Sequence, residues 1–191
     1  MSIDSNILVP LVDFAGNIRG YGEKMAVHRS GELHLAFSVM LYRVQSDGIY
    51  FLLQKRANTK YHSGDTWSNT CCSHPLPHET IRTAAKRRLK EELGIEAPIL
   101  LRNLNHVIYR SELDNGMIEH EFDIVVAGQV HDLNTDVNLN EVSEIRWWSQ
   151  QEIEHTLLNE PNTFTAWFKL VYERVEQSIY PDINEPLISN A

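Results

Sequence analysis

Ser73-His-Pro-Leu-Pro-His-Glu79-Thr-Ile-Arg-Thr-Ala-Ala-Lys-Arg87-Arg88-Leu-Lys-Glu91-Glu92-Leu-Gly94-Ile95 is the stretch that decides the fold of this 191-residue chain. From Thr80 to Leu93 the pattern is helical. Ile81, Ala85, Leu89 and Leu93 recur every four residues and form one apolar stripe. Gly94 follows where a helix commonly ends in a left-handed residue. The other faces carry Arg82, Lys86, Arg87, Arg88, Lys90, Glu91 and Glu92. A loop and helix that present carboxylates one turn apart can hold Mg²⁺ against a diphosphate, because Mg²⁺ prefers one or two carboxylates plus phosphate oxygens. A plain solvated helix with Glu/Lys/Arg pairs would use the same residue types, so the flanks must decide.

Working outward, Leu35 to Val44 is apolar and β-rich, Ser46-Asp47-Gly48 is a turn signal, and Ile49 to Leu53 is a second strand. Residues 57–78 read as irregular, with Gly64, Pro75, Pro77 and a short Trp67 to Cys72 segment. Beyond the helix, Asn105 to Glu112 leads into Asp114-Asn115-Gly116, and Met117 to Val130 leads out. There Ile118, His120, Phe122 and Ile124 alternate with Glu119, Glu121 and Asp123, so period two puts both glutamates on one face and His120 on the other. A three-residue loop over 114–116 sets Tyr109 opposite Glu121. A further strand runs through Ile145 to Trp148, and Ser149 with Glu152 forms a capping box. Phe164, Trp167, Phe168, Val171, Tyr172, Val175 and Ile179 mark a final amphipathic helix. The pattern is α+β: one mixed β-sheet flanked by helices, in a single domain over 1–191. Residues 1–30 form an N-terminal extension or hairpin, and 181–191 a tail.

Composition narrows the function. The net charge is -9, which argues against a general nucleic-acid binder. The charge is uneven: residues 1–110 hold 14 basic and 10 acidic side chains, residues 111–191 hold 3 and 16. The first half is thus the better candidate for handling an anion. Cys71 and Cys72 are adjacent and close no useful loop, so a reducing interior suits the chain. The N-terminus has no basic segment before its short apolar run, and no apolar stretch approaches the roughly 18 residues of a membrane span. The expectation is a cytoplasmic protein without membrane or nucleic-acid partners.

The stretch at 73–95 resembles the Nudix box, G-x5-E-x7-R-E-U-x-E-E-x-G-U with U aliphatic. Two positions depart from it: Ser73 replaces the Gly, and Arg88 replaces the first Glu of the R-E pair. The second change removes a carboxylate that a Nudix hydrolase uses and adds a cation, which favours binding a diphosphate over cleaving it. Trp67-Ser-Asn-Thr-Cys-Cys-Ser-His-Pro75 runs into the box, His28 and His34-Leu-Ala-Phe37 lie upstream, and Tyr109 and Glu119-His-Glu121 downstream. Over nearly its whole length the chain is similar to the type I isopentenyl-diphosphate isomerases, which keep a Nudix-like fold but move a double bond.

That resemblance implies the following roles. A metal site of three His and two Glu falls on His28, His34, His74, Glu119 and Glu121, a set that suits Mn²⁺ or Zn²⁺. Glu92 would bind Mg²⁺ together with the substrate's diphosphate. Cys72 and Glu121 would be the proton-transferring pair, with Tyr109 hydrogen-bonded to Glu121 or relaying its proton. A neighbouring dication and basic side chains would lower the Cys72 pKa. Lys24, Arg56, Lys60 and Arg88 would bind the diphosphate. Trp167 would stabilise a tertiary carbocation, although its place on the apolar stripe equally fits core packing. His62, His78, His106, His131 and His155 are expected to be ordinary surface or core residues.

The implied activity is interconversion of isopentenyl and dimethylallyl diphosphate in isoprenoid biosynthesis, by a monomer or weak homodimer whose partner is the small isoprenoid diphosphate. Two alternatives stay open: a Nudix hydrolase of another diphosphate, and a non-catalytic nucleotide- or metal-binding module on the same fold.

Overall fold

A computed structural model describes residues 7–113 and 115–184. The chain begins with a hairpin, β1 (Leu8–Val12) and β2 (Ile18–Glu23), followed by α1 (Lys24–Ser30). Strands β3 (His34–Gln45) and β4 (Gly48–Arg56) form the second hairpin, Gln45 pairing with Gly48 as the turn chemistry requires. Short strands β5 (Trp67–Ser68) and β6 (Cys71–Ser73) interrupt the irregular segment before α2 (Ile81–Leu93). Then come β7 (Arg102–Glu112), β8 (Ile118–Gln129), β9 (Val142–Ser149), α3 (Gln150–Asn159), a 3₁₀ turn (Pro161–Thr163) and α4 (Phe168–Asn184).

One mixed sheet joins the strands. β3 is its hub: antiparallel to β4 and β6, and parallel to β8, which pairs in turn with β7. The alternation of β3 sorts its side chains onto two faces. Phe37, Val39 and Leu41 pack with Ala85, Leu89 and Leu93 of α2. Met40 and Tyr42 pack with Phe168, Val171 and Val175 of α4. Burial of such side chains on both faces stabilises the layers by about 1.5–3 kcal/mol each.

This register positions the site. His34 pairs with Glu121 across β3 and β8, Ser38 with Cys72 across β3 and β6, and Tyr109 with Glu121 across β7 and β8. Three strands therefore bring an imidazole, a thiol and a carboxylate to one end of the sheet.

The helix read from the sequence over 80–93 is α2, N-capped by Thr80 and closed by Gly94 at φ 65°. Ser149 and Glu152 form the expected capping box of α3. The last helix differs. It begins at Phe168, so Phe164 and Trp167 lie in the connection before it. Thr165 N–H donates to the Trp67 carbonyl, and Phe164 makes a β-bridge with Trp67. Those long-range bonds divert the backbone from the helix that the apolar spacing predicts. Asp114 of the expected turn lies outside the described residues, while Gly116 takes the left-handed conformation at φ 76°. Residues 181–184 of the expected tail continue α4, and 185–191 lie outside the described residues.

Candidate active site

His28, fully buried, sits in the last turn of α1, where Gly31 at φ 69° ends the helix and turns the chain toward His34 at the start of β3. His28 Nδ1 lies 2.7 Å from the Lys24 carbonyl, and His34 Nδ1 lies 2.8 Å from the Glu32 carbonyl. A carbonyl only accepts, so both Nδ1 atoms carry the hydrogen, and each Nε2 is a lone pair whenever its ring is neutral. Those two Nε2 atoms and Glu119 Oε2 are buried without a hydrogen-bond partner among the described residues. One ligand atom from each of His28, His34, His74 and Glu121 falls within 4.8 Å of the others. These buried, unpartnered atoms converging beside two carboxylates fit a divalent cation.

Glu119 and Glu121 project from the same face of β8. His28 Nε2 stands 3.5 Å from Glu119 Oε2, and His62 Nε2 stands 2.9 Å from Glu119 Oε1. His74 Nε2 stands 3.0 Å and His34 Nε2 3.6 Å from Glu121 Oε1. Burial works against both carboxylate charges, but the histidines outweigh it, holding Glu119 well below its usual range and Glu121 lowered as well. Burial drives His74 down to about 4, keeping its imidazole neutral despite Glu121.

Cys71 and Cys72 point to opposite faces of β6. Cys71 is buried toward Glu92 (Sγ to Oε1, 3.5 Å), whereas Cys72 lines the pocket. The resemblance implied a lowered Cys72 pKa; in the protein alone burial pushes the thiol up to about 12, against the opposing Arg56. Arg56 Nη1 is 3.9 Å from its Sγ, too far to offset desolvation. Tyr109 donates to Glu121 Oε2 at 2.5 Å, and burial raises the phenol well above its usual range. Behind them Asp123 is fully buried, accepts from Ser38 Oγ at 2.8 Å, and is raised well above a normal carboxylate by burial.

Lys24, Arg56, Lys60 and Arg88 all line the same pocket, with Trp167 on its wall. Trp167 Nε1 donates to Asn69 Oδ1 at 3.1 Å, and the Arg56 guanidinium stands 5.5 Å from the indole centroid. Lys60 and Arg88 share Glu141, which ion-pairs with Lys60 and lies 3.3 Å from Arg88. Glu92 is not among the pocket-lining residues. Its Oε1 takes Arg88 at 2.7 Å and its Oε2 takes Gln54 at 3.2 Å. Arg87 braces the box instead, with two 2.9 Å bonds to Glu79.

The sequence reading missed two residues of this site. His62 is not an ordinary surface or core histidine: it is buried, lines the pocket and pairs with Glu119. Its closeness to Arg56 and Lys60 in the loop after β4 was the available signal. Glu141 gave none. His78, His131 and His155 are exposed, His106 stacks on Phe122, and His120 turns away to the Gly31 carbonyl.

Comparison with known proteins fits this geometry. The model of the NUDIX domain matches residues 32–168. The chain is 50% identical over 167 residues to the isopentenyl-diphosphate Delta-isomerase of Photobacterium profundum, covering 87% of this chain and 93% of that one. It is 48% identical over 169 residues to the enzyme of the same name from Aliivibrio fischeri, with the same coverage. Among solved structures, DR0079 from Deinococcus radiodurans superposes with a TM-score of 0.66 at 16% identity, covering 87% of this chain and 98% of that one. The MutT protein of Methanosarcina mazei gives a TM-score of 0.59 at 20% identity, covering 78% and 96%. These two likenesses show the fold alone.

Proposed function

The chain belongs to the isopentenyl-diphosphate Delta-isomerase family on the Nudix fold, and from that premise we propose that it interconverts isopentenyl and dimethylallyl diphosphate. The observation that carries the reading is the meeting of a thiol and a carboxylate, Cys72 and Glu121, in a pocket also lined by four cationic side chains and by Trp167. Shifting the double bond adds a proton at the terminal alkene carbon and removes one from C2. The two groups need to hold one proton between them, given by one member and taken by the other. A neutral Cys72 thiol beside an ionised Glu121 meets that condition. In the reverse reaction the members exchange roles.

Tyr109 donates to Glu121 and orients it. Trp167 offers an aromatic face to the tertiary cation that protonation creates, and the buried setting keeps water from trapping it. Lys24, Arg56, Lys60 and Arg88 take the diphosphate. His28, His34, His74, Glu119 and Glu121 would hold Mn²⁺ or Zn²⁺, whereas Glu92, set back from the pocket and bound by Arg88 and Gln54, would have to give up the Arg88 contact to hold Mg²⁺ with the diphosphate. When bound, these ions supply positive charge that fixes the carboxylates and neutralises the diphosphate.

The thiol, the carboxylates and the cations line one pocket of a single chain, in keeping with a monomer or weak homodimer as the active form. No helix among the described residues is long and apolar enough to cross a membrane. Cys71 and Cys72 are both free thiols, which agrees with a cytoplasmic setting.

Incubation with isopentenyl diphosphate and Mg²⁺ in deuterated water, read by NMR, tests the activity. Deuterium is expected in a methyl group of dimethylallyl diphosphate. Release of phosphate with no isomer would instead support a hydrolase. Cys72→Ala and Glu121→Gln are each expected to abolish turnover with unchanged circular dichroism; activity within a few-fold of wild type would remove that residue from the pair.

A further inference from the structure

His62 lies in the loop between β4 and β5, a segment without regular structure, yet bonds to its backbone and to both ring nitrogens hold it. Arg56 holds that loop from inside. Its Nε donates to the Ser63 carbonyl and its Nη2 to the His62 carbonyl, both at 3.2 Å. Thr66 Oγ1 donates to the Ser63 carbonyl at 2.8 Å, and Asn115 Nδ2 to the Tyr61 carbonyl at 2.5 Å. Ser63 itself takes a left-handed backbone, φ 48°, a conformation that costs a non-glycine residue energy and persists only where its surroundings fix it. The side chain is only 4% exposed, with Tyr61, His28 and Trp167 around it.

The ring nitrogens have distinct partners. Nδ1 is 3.1 Å from Ser63 Oγ, and Nε2 is 2.9 Å from Glu119 Oε1. The carboxylate only accepts, so Nε2 carries the hydrogen and Ser63 donates to Nδ1. Glu119 thereby has one oxygen committed. Its other oxygen, Oε2, is buried without a hydrogen-bond partner among the described residues, as are the Nε2 atoms of His28 and His34. A carboxylate free to rotate would not keep an oxygen turned toward the histidines. The His62 bond to one oxygen fixes the carboxylate plane so that the other faces them.

We propose that His62 is a positioning residue: by holding Glu119 Oε1 it aims Oε2 at the metal site formed with His28, His34, His74 and Glu121. The inference rests on the metal-site reading above. It adds a residue that acts on the metal site through Glu119, a type of support whose loss commonly costs 10- to 100-fold in metal affinity. Because Arg56 binds the His62 carbonyl, the same contact ties the cationic end of the pocket to the metal end.

The test measures Mn²⁺ affinity of the full chain, stripped with a chelator, by competition against a chromophoric chelator. His62→Ala is expected to bind roughly 10- to 100-fold more weakly than wild type. His62→Gln places an amide N–H near the former Nε2 and is expected to return within about fivefold, whereas the shorter His62→Asn is not. The Gln and Asn pair decides the matter should the alanine variant fold poorly. His34→Ala, which removes a ligand, should lose most binding. If His62→Ala matches wild type within twofold while His34→Ala loses binding, the positioning role is overturned and the metal site stands. Gln no better than Asn also overturns it. Wild type without Mn²⁺ affinity overturns the metal-site reading and the inference together.

Discussion

Trp167 is held at a fixed angle by one hydrogen bond. Its Nε1 donates to Asn69 Oδ1, and Asn69 is itself tied by its Nδ2 to the carbonyls of Val39 and Cys71. The indole thus takes its orientation from the strands that carry Cys72, not from the helix that follows it. Trp167→Phe keeps an aromatic face but loses that bond, so we expect kcat to fall about tenfold with KM little changed, on the usual scale of a buried cation–π contact. Trp167→Ala also opens a cavity costing about 3–5 kcal/mol, and a hundredfold or greater loss of kcat is expected. Steady-state kinetics decide: unchanged kcat in the alanine variant would mean that the ring does not face the reacting carbons. At this scale legibility depended on periodicity. Tyr109 opposite Glu121, and His120 turned away from the glutamates, follow from strand alternation. His62 follows no pattern, since Arg56 places it through bonds to backbone carbonyls, and Glu141 pairs with Lys60 and Arg88 from far along the chain.

At the scale of elements, α2 is the part most fully written in the sequence, because its stripe, cap and stop are all local. Its stop is also the least replaceable. Gly94 sits at φ 65°, and a Cβ there would come 2.7 Å from the Asp136 carbonyl oxygen and 2.8 Å from its backbone nitrogen. Gly94→Ala therefore meets both a strained backbone and a clash with main chain, and should cost at least about 2 kcal/mol, a drop of roughly 4–8 °C in Tm by calorimetry. A shift under one degree would show that the 136 segment yields freely. The start of α2 carries a pH signature. The Arg87 hydrogen bonds hold the Glu79 carboxyl below its ordinary value of 4.5. A depressed carboxylate stabilises the fold above its unfolded pKa, and loses that contribution as pH falls through the folded one. Glu79→Gln should then cost about 1 kcal/mol at neutral pH, roughly 2–4 °C, and the gap from wild type should close as the solution is acidified below the ordinary carboxylate range. A gap unchanged at low pH would remove the ion pair as its cause. The beginning of α4 departs from its apolar spacing for the converse reason: the bond from Thr165 to the Trp67 carbonyl is long-range, and no local spacing encodes it.

For the whole molecule, the charge split read from composition locates the anion better than the net charge does. A chain of net charge -9 should repel a diphosphate, but beyond the roughly 8 Å Debye length at physiological salt that field is screened. What the proposed substrate would meet is the local set of Lys24, Arg56, Lys60 and Arg88, which line one pocket and all come from the basic first half. Besides Glu119 and Glu121 in the same pocket, the acidic second half sets a carboxylate directly against two of those cations. Glu141 pairs with Lys60 and Arg88 at once, so a diphosphate that engages both cations must take them over from Glu141. Its amide counterpart would keep an oxygen that accepts from the same two donors, and so keep them in place, while removing the competing charge. We therefore expect Glu141→Gln to lower KM for the diphosphate by about three- to tenfold with kcat within twofold, since the loss of a neighbouring charge strengthens ground-state and transition-state binding alike. The salt dependence of KM should steepen in the same variant, because Lys60 loses its carboxylate partner while Arg88 keeps Glu91 and Glu92. Lys60→Met should move KM the other way, upward by at least about tenfold. Kinetics of the three proteins across a range of ionic strength check the ordering. A raised KM in Glu141→Gln would mean that the charge of Glu141 braces Lys60 and Arg88 for the diphosphate instead of competing with it.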